Sequence, residues 1–298
     1  MNLRIENLSK TYPTGRGAEP VKALNNINLE ISNGMFGLLG SNGAGKSSLM
    51  RTIATLQEPS EGSIHFYEID VLKTPMLLKR VLGYLPQDFG VYPKVSANDL
   101  LETFAILKGI RSRKTRKIAI DKVLELTNLL DARKQHVSGY SGGMKQRFGI
   151  AQLLLNNPRL IVVDEPTAGL DPEERVRFLN VLRDIGIENT ILFSTHLVDD
   201  VADLCNDMAI IHQGRVLLHR TPDSTIAELR GKVFCKTISK ADLTHYDQQF
   251  KVLSSSYNAD HSLRIRIHHH QAPPGFEPTP PRLEDAYFLT LKEANPDQ

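Results

Sequence analysis

The octapeptide Gly40-Ser41-Asn42-Gly43-Ala44-Gly45-Lys46-Ser47 constrains this chain more than any other stretch. It fits G-x-x-x-x-G-K-[ST] and lies between a short apolar run, Met35-Phe36-Gly37-Leu38-Leu39, and the apolar-periodic Leu49, Ile53 and Leu56. A buried strand that passes through a glycine-rich turn into a helix curls its N–H groups inward. The positive end of the helix dipole adds to them, and the result is a cradle for phosphate oxygens. Lys46 brings a full charge to the β- and γ-phosphates, Ser47 offers a hydroxyl to Mg²⁺, and Ser48 follows directly. The competing reading is a glycine turn that caps an ordinary helix; motif and flanking pattern together favour the cradle.

The first 220 residues alternate strand-like and helix-like segments without an internal repeat, which indicates an α/β sheet. The runs Met35–Leu39, Leu160–Val163 and Ile191–Phe193 fit central strands covered on both faces, each followed by a loop of functional side chains. Helical spacing is expected over Ala97–Lys108, Arg113–Leu130, Gly142–Leu155 and Pro172–Ile185. In the third, Met144, Phe148, Ala151 and Leu155 share one face behind an N-cap at Ser141. The character changes near Thr221, which sets an expected boundary between 1–220 and an accessory region 221–298. That region reads as a helix near Pro222–Arg230, strands at Val233–Ile238 and Leu263–Ile267, a stiff connector with five prolines over Ala272–Pro281, and a docking helix at Leu283–Lys292.

Leu160-Ile161-Val162-Val163-Asp164-Glu165 delivers two acids at the carboxyl end of a buried strand, where parallel sheets bind ligands. Asp164 suits an inner-shell Mg²⁺ ligand, and Glu165 is then free to orient and deprotonate an attacking water. Asp171-Pro172-Glu173-Glu174 carries the marks of a helix start: an N-cap, proline at the first position and acids in the first turn. His196, in Ser194-Thr195-His196 after a buried strand, reads either as a packing or capping residue or as a group at the same sheet edge as Asp164. Gln87, after Gly83-Tyr84-Leu85-Pro86, has the same ambiguity with an exposed turn glutamine.

The segment Tyr140-Ser141-Gly142-Gly143-Met144-Lys145-Gln146-Arg147, placed between the phosphate loop and Asp164, resembles the signature of ATP-binding cassette (ABC) ATPases. The resemblance runs from Leu3 to about Arg220, with Tyr12, the 40–47 loop, Gln87, the signature, Asp164-Glu165, the Ala168-Gly169-Leu170-Asp171 loop and His196 in the family's order. It implies an α/β P-loop NTPase core with a helical subdomain, here followed by a small α+β extension. It also implies a head-to-tail dimer in which Ser141, Gly142 and Gly143 hold the γ-phosphate of ATP bound by the other subunit. In that arrangement His196 touches the γ-phosphate, Gln87 senses Mg²⁺ and water, Asp171 meets the opposing phosphate loop and Tyr12 stacks on adenine. By position alone Tyr12 is equally a strand-end aromatic.

Tyr140 and Met144 replace the signature's usual leucine and glutamine. This variant and the tail Pro281–Tyr287 resemble the branch in which a separate cassette subunit serves an export permease. The implied partners are that permease and a second cassette, a homodimer being expected, at the cytoplasmic face of the membrane. The alternative is a soluble cassette ATPase acting on a ribosome or DNA. A single cassette and the short interval between Lys46 and Asp164 disfavour it, and a net charge of +2 with interspersed signs offers no nucleic-acid partner.

Three further features carry little function at this level. Cys205 and Cys235 are too few and too distant for a disulfide framework and read as buried fillers. His268-His269-His270 alternates faces on a strand and reads as a solvated strand end. Arg111–Lys117, with five bases in seven positions, reads as a solvated or partner-facing helix start. Within Gln87–Leu107, the expected permease contact, Phe89, Val91 and Tyr92 form the expected apolar anchor.

Overall fold

The structure is a computed structural model and describes residues 2–13, 19–87, 90 and 94–295. The proposed anchor residues Phe89, Val91 and Tyr92 lie outside the described residues. In chain order, β1 (Leu3–Tyr12) and β2 (Val21–Ile31) form a hairpin, β3 (Gly34–Leu39) leads into α1 (Lys46–Ile53), and β4 (Glu61–Phe66) and β5 (Ile69–Asp70) follow. Next come α2 (Pro75–Lys79), β6 (Leu82–Leu85), and the helices α3 (Ala97–Leu107), α4 (Arg113–Leu126) and α5 (Gly142–Leu154). The core closes with β7 (Leu160–Asp164), α6 (Pro172–Gly186), β8 (Thr190–Thr195), α7 (Val198–Leu204), β9 (Asp207–His212) and β10 (Arg215–Arg220). Beyond it lie α8 (Pro222–Glu228), β11 (Val233–Ile238), α9 (Leu243–Gln249), β12 (Lys251–Tyr257), β13 (Leu263–His268), β14 (Glu277–Pro278) and α10 (Leu283–Ala294).

Two sheets sandwich one apolar layer. The main sheet has the order β10-β9-β3-β8-β7-β6 and is parallel except for β10 at its edge. The smaller antiparallel sheet, β2-β1-β4-β5, covers one of its faces. The two-residue period of a strand sorts the central side chains: Leu160, Val162, Leu192, Phe36 and Leu38 face the antiparallel sheet, whereas Ile161, Val163, Ile191, Phe193 and Leu39 face the helices. Both faces are therefore dry, which is why these strands read as unbroken apolar runs. The sequence reading did not name β1, β2 or β4, because their alternating pattern is that of strands covered on one face only.

Helix limits follow local chemistry. Ser96, Ser112, Ser141 and Asp171 each accept a hydrogen bond from a first-turn N–H, closing the N-termini of α3, α4, α5 and α6. The helix expected over Arg113–Leu130 stops at Leu126, because Asn128 adopts a left-handed φ of 53° and Thr127 serves as C-cap. Leu56, expected on the buried stripe of α1, lies past that helix's end at Ile53 and is exposed.

The region after Thr221 builds its own sheet, β12-β13-β11-β14, over a small core of Phe234, Ile238, Ile265, Ile267 and Phe276. The proline-rich stretch is more than the expected connector: Phe276 is buried, and Glu277 and Pro278 pair with β11. Helix α10 then returns to the main body, where Leu283 and Tyr287 join the large core. One buried ion pair fastens this helix to the sheet. Asp285 receives Arg266 Nε at 2.8 Å and Nη2 at 2.6 Å and also accepts the Arg282 N–H at 2.8 Å. The carboxylate in turn raises the Arg266 pKa. Asp285→Ala leaves the guanidinium uncompensated, and a loss of about 3–5 kcal/mol is expected in urea unfolding. Asp285→Asn, which keeps acceptor shape, is expected to lose less.

Candidate nucleotide site

The parallel register delivers the site. Leu39 pairs with Thr195 and Asp164 with Ser194, so the loops after β3, β7 and β8 leave the sheet at one edge. After β3 the chain turns through the glycine-rich loop into α1. Gly45 has a φ of 109°, and a Cβ there would lie 2.6 Å from the Ala23 carbonyl oxygen, so only glycine fits. The loop residues Asn42, Gly43 and Gly45–Ser48, with Gln87 and Glu165, line a cleft of about 320 Å³.

Lys46 is buried and fully engaged. Its Nζ donates to Gly40 O at 2.7 Å and Ser41 O at 3.1 Å and lies 2.9 Å from Glu165 Oε1. The second oxygen of Glu165 is 3.3 Å from His196 Nδ1. A continuous chain of polar groups thus runs Lys46–Glu165–His196, buried at its lysine end and 41% exposed at the histidine. Glu165 itself has a left-handed φ of 45°. That sparsely populated conformation turns its carboxylate back over the phosphate loop, a form of strain found at functional sites. Asp164 Oδ1 accepts a 2.6 Å hydrogen bond from Ser194 Oγ, which in turn accepts the Glu165 N–H at 3.0 Å. Tyr12 ends β1 beside the loop, donating from its hydroxyl to Gln57 Oε1 at 2.7 Å and lying 3.2 Å from Ser48 Oγ. Gln87 is exposed at the cleft rim.

The signature lies apart from this cleft. Ser141 caps α5 by accepting the Met144 N–H at 3.1 Å, and both it and Gly142 are exposed. Gly143 is buried against α6, where an added Cβ would fall 2.2 Å from Glu174 Oε2. Arg147 reinforces this contact: its Nη2 lies 3.2 Å from Glu174 Oε2, and its Nη1 donates to Thr127 O and Asn128 O, both at 3.2 Å. Asp171, the N-cap of α6, accepts the Glu174 N–H at 2.9 Å. The structure therefore links Lys46, Glu165 and His196 by direct contact, with Asp164 joined to Glu165 through Ser194. It leaves Ser141 and Gly142, with Asp171, exposed on a second surface, while Gly143 is buried beneath them.

Sequence reasoning missed several residues that hold these groups. Ser194 was read only as part of the strand end before His196. Asp200 is completely buried and accepts from Thr167 Oγ1 at 2.9 Å and Arg175 Nε at 2.7 Å. Thr195 Oγ1, 3.4 Å from the same carboxylate, also accepts the Leu197 N–H. Asp200 thereby ties the loop after Glu165 to the loop that carries His196. Its signal was weak, because Asp199-Asp200 at a helix start looks like a pair of dipole-compensating acids.

A model of the ABC transporter family matches residues 24–168. The uncharacterized ABC transporter ATP-binding protein YxlF of Bacillus subtilis (strain 168) is 37% identical over 215 residues, covering 72% of this chain and 69% of the relative. The linearmycin resistance ATP-binding protein LnrL of the same organism is 31% identical, covering 77% and 72%. Among solved structures, a dimeric post-hydrolysis state of an ATP-binding cassette bound to ADP and Pi superposes with a TM-score of 0.64 at 26% identity, covering 74% of this chain and 98% of the other. The chain belongs to the ABC transporter ATP-binding proteins, and it is an ATPase of that family.

Ser194 offers a compact test of how the acid pair is held. Ser194→Ala is expected to lower kcat about ten- to a hundredfold while leaving the ATP dissociation constant within about threefold, since it misaligns Asp164 and Glu165 without touching the phosphate loop. Ser194→Thr, which keeps the hydroxyl, is expected to recover part of the loss in a steady-state phosphate-release assay.

Proposed function

We propose that the chain binds Mg-ATP in the Gly40–Ser48 cradle, hydrolyses it at composite sites of a head-to-tail homodimer, and so powers export through a separate permease. In this reading residues 1–220 form the ATPase domain and 221–298 an accessory region, and the subunit is peripheral to the cytoplasmic membrane face. Among the described residues no helix is long and apolar enough to cross a membrane, and this reading assigns the transport path to a partner. The carrying observation is the exposure of Ser141 and Gly142 at a helix N-terminus outside their own subunit's cleft, beside the Asp171-capped helix. An open helix start binds anions, and a second copy supplies one in its own cradle.

The donors present suit Mg-ATP. Backbone N–H groups of the loop and the Lys46 ammonium would hold a triphosphate, while the Ser47 hydroxyl and the Asp164 carboxylate would supply hard oxygens to Mg²⁺. When bound, Mg²⁺ neutralises charge on the β- and γ-phosphates. A phosphate entering the cleft replaces Glu165 as the counter-ion of Lys46, because both claim the same ammonium. The released carboxylate accepts a proton from water as the water oxygen bonds to the γ-phosphorus and the bond to the β-phosphate oxygen breaks, giving ADP and inorganic phosphate. His196, on the exposed side of Glu165, holds the γ-phosphate in line. Export rather than import is supported by the Tyr140 and Met144 signature variant and by the drug-resistance name of one relative.

Glu165→Gln keeps the cradle and removes the base, so hydrolysis is expected to fall about 10²- to 10⁴-fold while ATP still binds. The variant is expected to elute as an ATP-dependent dimer in size exclusion, and wild-type turnover would remove Glu165 from the mechanism. Lys46→Ala is expected to lose nucleotide affinity in the monomer, whereas Ser141→Ala with Gly142→Asp retains it and blocks hydrolysis. Reconstitution in vesicles with the membrane protein that co-purifies with the chain then reads direction: ATP-driven movement toward the cytoplasmic face would overturn export.

A further inference from the structure

From Thr103 to Ile120 the chain has no acidic residue and six basic ones: Lys108, Arg111, Arg113, Lys114, Arg116 and Lys117. The structure divides them by role. Lys108 turns inward, donating to Leu153 O at 3.0 Å, and burial lowers its pKa to about 8. Arg116 pairs with Glu102 at 2.6 Å and donates to the Ile110 and Arg111 carbonyls, which fixes the turn between α3 and α4. The other four, Arg111, Arg113, Lys114 and Lys117, are exposed and form no ion pair among the described residues. They crowd the N-terminus of α4, whose first turn holds no acid, so the positive end of the helix dipole adds to their charge instead of being compensated. Such an arrangement costs helix stability. An anionic partner offsets that cost.

A second observation on the same tip identifies the partner's chemistry. Leu107 is 76% exposed, Ile118 60% and Ile106 55%, and these branched aliphatic side chains flank the four bases at the end of α3 and the second turn of α4. Bare aliphatics among bases suit an interface that is anionic at its surface and apolar just beneath. A bilayer of acidic lipids has that layering, with headgroups for the bases and the acyl boundary for leucine and isoleucine. A nucleic-acid backbone has no use for the apolar component. The whole chain carries only +2, so the attraction belongs to this face and not to the protein at large.

We propose that the α3–α4 tip, from Ile106 to Ile118, docks directly on the anionic headgroup surface of a lipid bilayer. This contact is additional to any permease docking, and its test contains no permease, so the two readings fail separately.

The full-length chain is sedimented with vesicles of phosphatidylcholine containing phosphatidylglycerol, and with phosphatidylcholine alone. The expected result is binding to the anionic vesicles at low salt, release as ionic strength rises, and weak binding to the neutral ones. The combined substitution of Arg111, Arg113, Lys114 and Lys117 by Gln is expected to weaken binding by about tenfold or more. Leu107→Gln with Ile118→Gln is expected to leave low-salt attraction but to lower the salt needed for release. Both variants retain basal ATPase activity, since none of these residues lines the nucleotide cleft. Absence of wild-type binding to anionic vesicles, equal binding to neutral ones, or an unchanged four-Gln variant would each overturn the proposal. Release by inorganic phosphate beyond that of chloride at matched ionic strength would assign the bases to a soluble anion and overturn it likewise.

Discussion

The parallel pairing of β3, β8 and β7 is the constraint on which the rest of the structure depends. With Leu39 opposite Thr195 and Ser194 opposite Asp164, three loops from distant parts of the chain leave the sheet at one edge. A slip of one residue would turn Asp164 to the other face, and with it would go the bond to Ser194. The two dry faces hold this register. Leu160, Val162 and Leu192 are locked on the antiparallel-sheet side, and Ile161, Val163 and Phe193 on the helical side, so any shift would also misplace a row of fully buried side chains. Core packing and site geometry are one specification.

At that edge charge governs behaviour. A buried ammonium needs compensation, and Lys46 finds it in two loop carbonyls and Glu165. In the proposed reaction the same carboxylate is the base. On that proposal a single residue serves as counter-ion before the phosphate arrives and as proton acceptor afterwards, and the exchange links base release to substrate entry. The left-handed backbone of Glu165 makes the double use feasible, because it brings both carboxylate oxygens within reach of Lys46 and His196.

Much of this was legible in the sequence because the relevant signals are local. The glycine-lysine loop, the apolar runs ending in polar loops, and the caps at Ser141 and Asp171 each follow from a few adjacent residues, and all appear in the fold. What escaped was non-local. Ser194 is one hydroxyl among strand residues, and only the register with β7 gives it a task. Asp200 looks like a dipole-compensating acid until the fold buries it between Thr167 and Arg175. Proline content made 272–281 read as a spacer, whereas Phe276, a single aromatic in that run, gains enough from burial to seat the segment on the small sheet. The helix end near Leu126 was missed because Asn128 reads as polar helix until its left-handed φ is seen.

The contact between α5 and α6 joins these parts into one device. Gly143 permits the two helices to touch at the Glu174 carboxylate, and Arg147 clamps that carboxylate while holding the end of α4 through the Thr127 and Asn128 carbonyls. Ser141, Gly142 and Asp171 therefore sit on a shared support, so the surface that the proposed dimer would use is presented as a unit. From α6, Arg175 runs to Asp200, and Asp200 reaches Thr167 and Thr195, the neighbours of Glu165 and His196. Each link is a buried or half-buried polar contact in which leaving one partner unpaired costs more than the bond returns. A network of polar contacts thus joins the outer surface to the segments that carry Glu165 and His196. In the head-to-tail dimer proposed above, the half-site that holds one copy's nucleotide and the half-site shown to its partner belong to one connected polar network within a single chain.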